Sequence, residues 1–250
     1  MNALILLVEE LQDRKKAVLV GDRAKAFLSE QQLKLHQTIR IAVLNQFHAY
    51  GEITALGADR IEIRLAGPEL PRSRLPVALV VAVPRPQTVK KVISLAVQCG
   101  VTALYFVKSY QTVASYLQSH SMREADIRAE GIKALGQVWD AHLPEIIVLP
   151  KMAAFFDTII PQYKQRYGQL RLLLAEPQQP GTVGLKGLPV FKAEDFVLLG
   201  IGPESGWSDS EKAGFVELGF TQIHLDDREY RVETALALLI GQLKGVLSAT

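Results

Sequence analysis

The sequence predicts an α/β protein in which a small β-rich domain precedes a parallel sheet with helices on both faces. Two observations lead to this prediction. The first 70 residues consist mostly of short strand-like segments, whereas strand-like and helix-like segments alternate after residue 76. Alternation of this kind is typical of βαβ units, whose strands pair in parallel and whose helices cover the sheet.

The N-terminal segments predict a small barrel or curled sheet. Apolar and polar residues alternate cleanly near residue 60, as in a half-buried strand. A predicted helix, from about Arg23 to Lys34, interrupts the strands. The predicted strands are Ala3–Val8, Ala17–Val20, Thr38–Leu44, Gly51–Leu56 and Arg60–Leu65. Three prolines and a glycine between Gly67 and Pro76 favour a linker, so we expect domains over 1–70 and 77–250, joined by a linker over 71–76.

The second domain opens with a continuous apolar run, which is typical of a strand buried on both faces. The predicted strands are Val77–Val83, Val101–Val107, Ile146–Leu149, Leu170–Ala175, Phe196–Ile201 and Thr221–Leu225. The predicted helices lie near Thr88–Gln98, Met122–Trp139, Met152–Tyr167, Ser210–Leu218 and Val232–Leu247.

The composition is that of an ordinary globular protein, with 48% hydrophobic and 22% charged residues. No apolar run reaches the roughly 18 residues of a membrane helix, so no membrane partner is expected. The segment from Met1 to Val8 lacks the basic start and cleavage site of a secretory signal. The single cysteine, Cys99, excludes an internal disulfide and is expected to pack in the core. Together these features predict a cytoplasmic protein.

The charges are unevenly distributed along the chain, although the formal net charge is only +2. No acidic residue lies between Glu69 and Glu124, a stretch that contains seven basic residues. They are Arg72, Arg74, Arg85, Lys90, Lys91, Lys108 and Arg123. Such segregation can create a basic surface that binds phosphates, or the charges can mix with acidic ones in three dimensions on an ordinary solvated surface.

One buried strand of the second domain ends in a loop with Gly200, Gly202 and Gly206. Ser208 and Glu211 have the spacing of a capping box, so a helix is expected to begin directly after the loop. Because ligands of open α/β sheets bind at the carboxyl ends of strands, this loop is a candidate binding site. A tight turn that needs glycine and binds nothing is the alternative.

The glycine spacing and Asp226, which lies 20 residues after Gly206, superficially suggest a dinucleotide site. Two objections weigh against it. Acidic residues crowd the helix N-terminus, where a pyrophosphate needs positive potential. They are Glu204, Asp209 and Glu211. Only 23 residues follow Asp227, too few for the second half of a nucleotide fold. A ligand with adenine, hydroxyls and a positive charge but no phosphate, such as S-adenosylmethionine, suits the loop better.

Several motifs, in order along the chain, resemble the RsmE family, which are small-subunit rRNA uridine N3-methyltransferases of the SPOUT class. Three of these motifs lie near the C-terminus. They are Gly202-Pro203-Glu204-Ser205-Gly206-Trp207-Ser208, Gly219-Phe220 and Leu225-Asp226-Asp227-Arg228-Glu229-Tyr230-Arg231-Val232-Glu233-Thr234-Ala235. Further similar segments are Ala82–Pro86 with Lys90, Gly100-Val101, Ser115-Tyr116, Gln118-Ser119, Gln137, Asp140 and Pro144. The resemblance covers roughly residues 80–250 well and the N-terminal domain loosely.

The resemblance implies a SPOUT-type knotted parallel sheet with a C-terminal trefoil knot, and a PUA-like N-terminal β-barrel that binds RNA. It also implies a homodimer and 16S rRNA of the small ribosomal subunit as the partner. S-adenosylmethionine would be the methyl donor, bound by residues of three loops. These are Leu174, Ala175, Glu176, Pro177, Ile201, Gly202, Gly206, Leu225, Asp226, Tyr230 and Arg231.

Methylation of uracil N3 requires removal of a weakly acidic proton or stabilisation of the resulting negative charge. Arg231 is the candidate for holding the base or its oxyanion, because a guanidinium can donate two parallel hydrogen bonds. Glu233 or Glu204 is the candidate base, although Glu233 also suits a helix N-terminus. The candidates for RNA binding are Arg72, Arg74, Arg85 and Lys90.

Three residues of these loops depart from the family pattern, namely Ser205, Asp226 and Tyr230. Two alternatives therefore stay open beside uridine N3 methylation. The chain can be a SPOUT methyltransferase that acts on a ribose 2′-hydroxyl or on tRNA, or an RNA-binding protein without catalysis. The five histidines lack metal-ligand spacing, so no metal is expected.

Overall fold

The computed structural model describes residues 2–248, which form two compact units. One unit comprises Met1–Ser73 and Gly131–Leu143, and the other comprises Arg74–Glu130 and Pro144–Thr250. Residues 131–143 therefore belong with the N-terminal segment and not, as predicted, with the second domain. No helix of the described chain is long and apolar enough to cross a membrane.

The first unit contains a six-stranded sheet, one complete helix and, in residues 131–138, the end of a later helix. In chain order its elements are β1 (Leu4–Leu6), β2 (Leu11–Asp13), β3 (Lys16–Val20), α1 (Gly21–Glu30), β4 (Thr38–Val43), β5 (Phe47–Leu56) and β6 (Arg60–Glu69). The strand order is β1-β4-β5-β6-β3-β2, in which only the β1–β4 pair is parallel. The five predicted strands are present, and β2 is an addition.

The core of the first unit lies on one face of this sheet. Apolar residues at alternate positions of β4 and β6, such as Ile41 and Ile63, are fully buried in a common cluster. Gly51 of β5 lies between them, and a Cβ atom there would be 2.6 Å from Cγ2 of Ile63 and 2.8 Å from Cγ1 of Ile41. Glycine at this position therefore lets the two isoleucines pack over the central strand.

Helix α1 ends at Glu30, four residues before the predicted end at Lys34. The following backbone joins β5 instead, because His36 donates its N–H to the carbonyl of Ile53, and the N–H of Ile53 bonds to the carbonyl of Gln37. The connection between the predicted domains is irregular only from residue 70 to residue 74.

The second unit contains a seven-stranded sheet in which every pair of neighbouring strands is parallel. In chain order the strands are β7 (Leu75–Ala82), β8 (Val101–Val107), β9 (Glu145–Leu149), β10 (Leu170–Ala175), β11 (Val183–Gly184), β12 (Phe196–Ile201) and β13 (Thr221–His224). The helices are α2 (Pro86–Cys99), α3 (Ala114–Leu117), α4 (Glu124–Val138), α5 (Met152–Ala154), α6 (Ile160–Arg166), α7 (Asp209–Glu217) and α8 (Val232–Ser248). The strand order is β11-β13-β10-β12-β7-β8-β9.

Both faces of the parallel sheet are buried, which confirms the predicted fold class. Successive residues of β7 point to opposite faces, and all of them from Val77 onwards are fully buried. Ala78 and Val80 share a core with Phe155 and with Phe215 of α7. Helix α2, whose residues lie outside this core, packs against β8 and α8. The predicted threading of the C-terminal segment into a knot stays a prediction.

The predicted helices are present, with two local differences in the helices and one in the burial of a residue. Trp139 has a left-handed φ of 49°, so α4 ends one residue before it. Residues Phe155–Ile159 form a π-helical turn between α5 and α6, and Pro161, two residues after its end, has no N–H to continue the regular ladder. Cys99 is half-buried at the end of α2 rather than packed in the core, and burial raises the pKa of its thiol.

Phe215 is the side chain through which several aromatic residues of the second unit contact each other. It is fully buried, and its ring centroid lies 4.9–5.0 Å from those of Phe156, Trp207 and Phe220.

We expect Phe215→Ala to lower the free energy of unfolding by about 3–5 kcal/mol, measured by urea denaturation. Val216→Ala, at a neighbouring position that is 49% exposed, should change it by less than about 0.5 kcal/mol. Equal losses in the two variants would contradict the central role of Phe215.

Candidate functional site

A cavity of about 350 Å³ lies where three strands of the second unit end. Segments that follow β10, β12 and β13 line it, together with the start of α8. Because β12 and β13 both pair with β10 in parallel, their carboxyl ends meet at one edge of the sheet. The cavity therefore occupies the position at which ligands of open α/β sheets bind.

Most of the residues predicted to bind a donor line this cavity. They are Ala175, Glu176, Pro177, Ile201, Gly202, Gly206, Leu225, Asp226 and Tyr230. Two predicted residues are placed elsewhere. The side chain of Leu174 is fully buried in the hydrophobic core, because it alternates with its neighbours along β10, and Arg231 is exposed outside the cavity.

The two loop glycines are required by the backbone itself. A Cβ atom on Gly202 would lie 3.2 Å from the carbonyl carbon of Gly206 and from the nitrogen of Trp207, so the loop folds closely against itself. Gly206 has a φ of 76°, and its N–H bonds to the carbonyl of Pro203 at 2.8 Å. The glycines therefore explain a tight turn, and the cavity beside it is the separate observation that indicates a ligand.

The predicted capping box is present at the start of α7. The Oγ of Ser208 accepts the N–H of Glu211, and one carboxylate oxygen of Glu211 accepts the N–H of Ser208 at 2.9 Å. The other oxygen accepts the N–H of Tyr110 at 2.7 Å. Glu211 is buried. This carboxylate therefore fixes the end of the glycine loop to the loop that follows β8.

Two of the three departures from the family pattern contact each other. The hydroxyl of Tyr230 donates to Oδ2 of Asp226 at 2.7 Å, and Oδ1 of Asp226 accepts the N–H of Arg228 at 2.9 Å. The backbone hydrogen bond from Arg228, followed by the one from Tyr230, lowers the pKa of Asp226. Asp226 and Tyr230 therefore brace the loop after β13, a pairing that their spacing of four residues did not reveal.

A buried ion pair that the sequence analysis missed forms part of the cavity wall. Nζ of Lys212 lies 3.0 Å from Oε2 of Glu176, whose side chain is only 3% exposed. Burial raises the pKa of Glu176, and the hydrogen bond from Lys212 partly offsets the rise. Lys212 follows Glu211 in the first turn of α7, so the capping box already placed it close to the loop. Gln179, Arg228 and Glu229 also line the cavity without having been predicted.

Of the three candidate catalytic residues, only Glu204 lines the cavity. Its Oε1 lies 3.9 Å from Nε of Arg85. Glu233 pairs with Lys91 at 2.9 Å, and the hydrogen bond from Lys91 lowers the pKa of Glu233. A carboxylate with a lowered pKa is a weak proton acceptor, so the surroundings of Glu233 favour structural pairing over general-base catalysis.

The four basic residues predicted to bind RNA are distributed over both units. Arg72, in the first unit, donates to the carbonyl of Val138 at 3.2 Å. Arg74, Arg85 and Lys90 belong to the second unit, and the side chain of Arg85 is 60% exposed. Within residues 2–248, no group of three or more metal-ligand side chains is arranged to hold a metal ion.

Comparison with known proteins identifies a family for most of the second unit. The sequence model of the RNA methyltransferase domain family matches residues 71–244 of this chain. The ribosomal RNA small subunit methyltransferase E of Treponema pallidum is 25% identical over 166 residues, which are 64% of this chain. The matched segment spans 58% of the length of that relative.

Two solved structures have the same fold along nearly the whole chain. Ribosomal RNA small subunit methyltransferase E of Neisseria gonorrhoeae, bound to S-adenosylmethionine, gives a TM-score of 0.81 at 17% identity and covers 97% of both chains. A Legionella pneumophila protein solved with the same cofactor gives 0.76 at 16% identity and covers 98% of both chains.

The raised pKa of Glu176 predicts a specific dependence of stability on pH. The folded state holds the proton of Glu176 more tightly than the unfolded state, in which the pKa of a glutamate is about 4.3. Protonated Glu176 therefore makes its full contribution to stability below that pKa. The contribution is lost as pH rises through the raised pKa of the folded state. Compared with Glu176→Gln, which cannot titrate, the wild type should therefore lose unfolding free energy as pH rises. Urea denaturation at several pH values from about 4 to 8 measures this difference.

The matched control is Glu217→Gln, at an exposed position on α7, the helix that carries Lys212, and it should change stability little at any of these pH values. If the wild type instead gains stability relative to Glu176→Gln as pH rises, Lys212 outweighs burial and the stated direction is wrong.

Proposed function

The chain belongs to the RNA methyltransferase domain family, and from this premise we propose that it transfers the methyl group of S-adenosylmethionine to N3 of a uridine in 16S rRNA. The observation that carries the proposal is the cavity at the ends of β10, β12 and β13, whose walls come from the three loops in which the resemblance to the RsmE family places the donor. The small ribosomal subunit is the proposed partner.

The charges of the cavity favour a cationic donor without phosphates. Four acidic side chains line it, namely Glu176, Glu204, Asp226 and Glu229, against the two basic residues Lys212 and Arg228. A sulfonium ligand gains from this excess of negative charge, whereas a pyrophosphate would be repelled. Its volume of about 350 Å³ is within the range of small-molecule sites. Both structures with the same fold named above contain S-adenosylmethionine.

We assign the oxyanion role to Arg231. It directly follows Tyr230, which lines the cavity, and it is exposed, so that a base approaching from solvent can reach it. Two parallel hydrogen bonds from it would stabilise negative charge on the carbonyl beside N3 as the proton leaves. Glu204 is the better placed of the two candidate bases, because it lines the cavity while Glu233 is paired with Lys91.

We propose that both units bind RNA. In the second unit, Arg74, Arg85 and Lys90 would contact phosphates, and in the first unit Arg72 would do so. In the first unit, residues 1–70 would form the PUA-like module. Its sheet presents the guanidinium of Arg40 at 4.9 Å from the ring centroid of Trp139, with Tyr50 at the edge of the same ring. Such cation and aromatic groupings suit single-stranded RNA.

A homodimer in the cytoplasm completes the proposal. Helix α8 keeps apolar side chains exposed, including Leu238 at 40% and Val246 at 37%, and a second copy of the chain would cover them. The cytoplasmic location is proposed because the proposed substrate is the small ribosomal subunit.

The bracing pair in the third loop gives a direct test of donor binding. Tyr230→Phe removes the hydroxyl that bonds to Asp226 and should loosen the loop, so the Kd for S-adenosylmethionine should rise about three- to tenfold, measured by titration calorimetry. Tyr50→Phe, which removes a hydroxyl from the first unit, is the matched control and should leave the Kd unchanged. An unchanged Kd for Tyr230→Phe would mean that this hydrogen bond does not shape the site.

The reaction itself is tested with purified protein, S-adenosylmethionine and unmodified small ribosomal subunits, followed by nucleoside mass spectrometry. We expect N3-methyluridine in 16S rRNA. Arg231→Lys should lower kcat by about 100-fold, as for other lost oxyanion donors, while the donor Kd stays within about twofold. Arg128→Lys, on the exposed face of α4, is the control for charge-preserving substitution.

The same assay separates the alternatives. A 2′-O-methylated nucleoside, or product only with tRNA, would replace the uridine N3 assignment with another RNA site. Absence of donor binding at millimolar concentration would leave an RNA-binding protein without catalysis.

A further inference from the structure

A short loop after β8, residues Ser109–Val113, exposes an aromatic side chain on a rigid backbone. The side chain of Tyr110 is 83% exposed, while Ser109 and Thr112 on either side are buried. The hydroxyls of Ser109 and Thr112 bond to each other at 2.9 Å, and the N–H of Ser109 donates to the same Thr112 oxygen at 3.2 Å. This loop is termed the 109–113 loop below.

The 109–113 loop is hydrogen-bonded to two chain segments that adjoin residues of the donor cavity. The N–H of Tyr110 donates to the buried carboxylate of Glu211, whose other oxygen accepts the N–H and hydroxyl of Ser208 at the end of the glycine loop. The hydroxyl of Thr112 reaches the carbonyl of Val83 at 3.5 Å. Two residues further along the chain, Arg85 faces Glu204 of the cavity.

An isolated exposed apolar side chain is common and needs no explanation by itself. Here the buried carboxylate of Glu211 accepts the backbone N–H of Tyr110, so that the backbone that carries the exposed ring is held in place. A tyrosine held in this way loses little entropy when a flat partner stacks on it. Nucleobases of unpaired RNA are such partners, and stacking on an aromatic ring is a general mode of binding them.

We propose that Tyr110 stacks on a nucleobase of the RNA substrate next to the methyl-accepting nucleotide, and that Glu211 is a positioning residue which holds Tyr110 through its backbone. The proposal rests on the proposed function, because it takes an RNA as the ligand of this edge of the sheet. It assigns substrate recognition to a loop outside the three donor-binding segments.

Tyr110→Ala tests the stacking role in the full-length protein with 16S rRNA and small subunits as probes. The KM for RNA and the Kd from fluorescence anisotropy should each rise about tenfold, within the range measured for loss of one base–aromatic stack. The donor Kd and the midpoint of thermal unfolding should not change. Tyr110→Phe should behave as wild type, and Gln111→Ala, at an exposed position of the same loop, should change RNA affinity by less than about twofold.

Glu211→Gln tests the positioning role. Glutamine has one acceptor where the carboxylate has two, so it cannot hold both the Tyr110 and the Ser208 N–H groups. The KM for RNA should rise by a factor similar to that of Tyr110→Ala, with a smaller change in kcat. The double variant should be no worse in KM than Tyr110→Ala alone, because both changes disable the same contact.

Three results would overturn the proposal. The first is unchanged RNA affinity in Tyr110→Ala. The second is a loss of RNA affinity in that variant that is accompanied by a higher donor Kd or a lower thermal stability. The third is no binding of RNA by the wild type. A wild type that binds RNA but makes no methylated nucleoside would contradict the proposed function alone, since the anisotropy comparison still decides whether Tyr110 stacks.

Discussion

The close packing of β12 between β10 and β7 is the constraint on which the rest of the site depends. All six residues of β12 are buried, and a Cβ atom on Gly200 would approach Cδ1 of Leu174 to 2.9 Å. The register pairs Leu174 with Gly200, where glycine leaves room for the end of the Leu174 side chain. It brings the ends of β10 and β12 level, so that the segments following them form two walls of one cavity.

Carboxylates organise the loops around that cavity by accepting backbone N–H groups. Asp226 accepts the N–H of Arg228, and Glu211 accepts those of Ser208 and Tyr110. Loops expose many unpaired donors, and an ionised carboxylate satisfies two of them with charge-assisted hydrogen bonds. The acidic character that argues against a phosphate ligand thus also provides the framework of the site. Glu176 and Glu204 instead pair with basic side chains, those of Lys212 and Arg85.

The sequence predicted nearly all regular elements, because apolar periodicity and the capping box act over a few neighbouring residues. The predicted boundaries are wrong where contacts with distant segments of the chain determine the backbone conformation. Helix α1 ends early since residues 36 and 37 pair with Ile53, and Trp139 leaves the helical conformation where its indole donates to the carbonyl of Ile41 in the first unit. That unit also takes up residues 131–143 from the middle of the chain, which no local pattern reveals.

By itself the sequence determined the order of strands and helices, the glycine loop, the acidic setting of its helix and the resemblance to a methyltransferase family. Only the tertiary structure decided which side chains meet. It pairs Asp226 with Tyr230 and Glu176 with Lys212, and it leaves Leu174 in the core and Arg231 outside the cavity. The reason is physical: backbone conformation follows from neighbours along the chain, whereas contacts between loops depend on strand order and register, which residues far apart in the sequence set together.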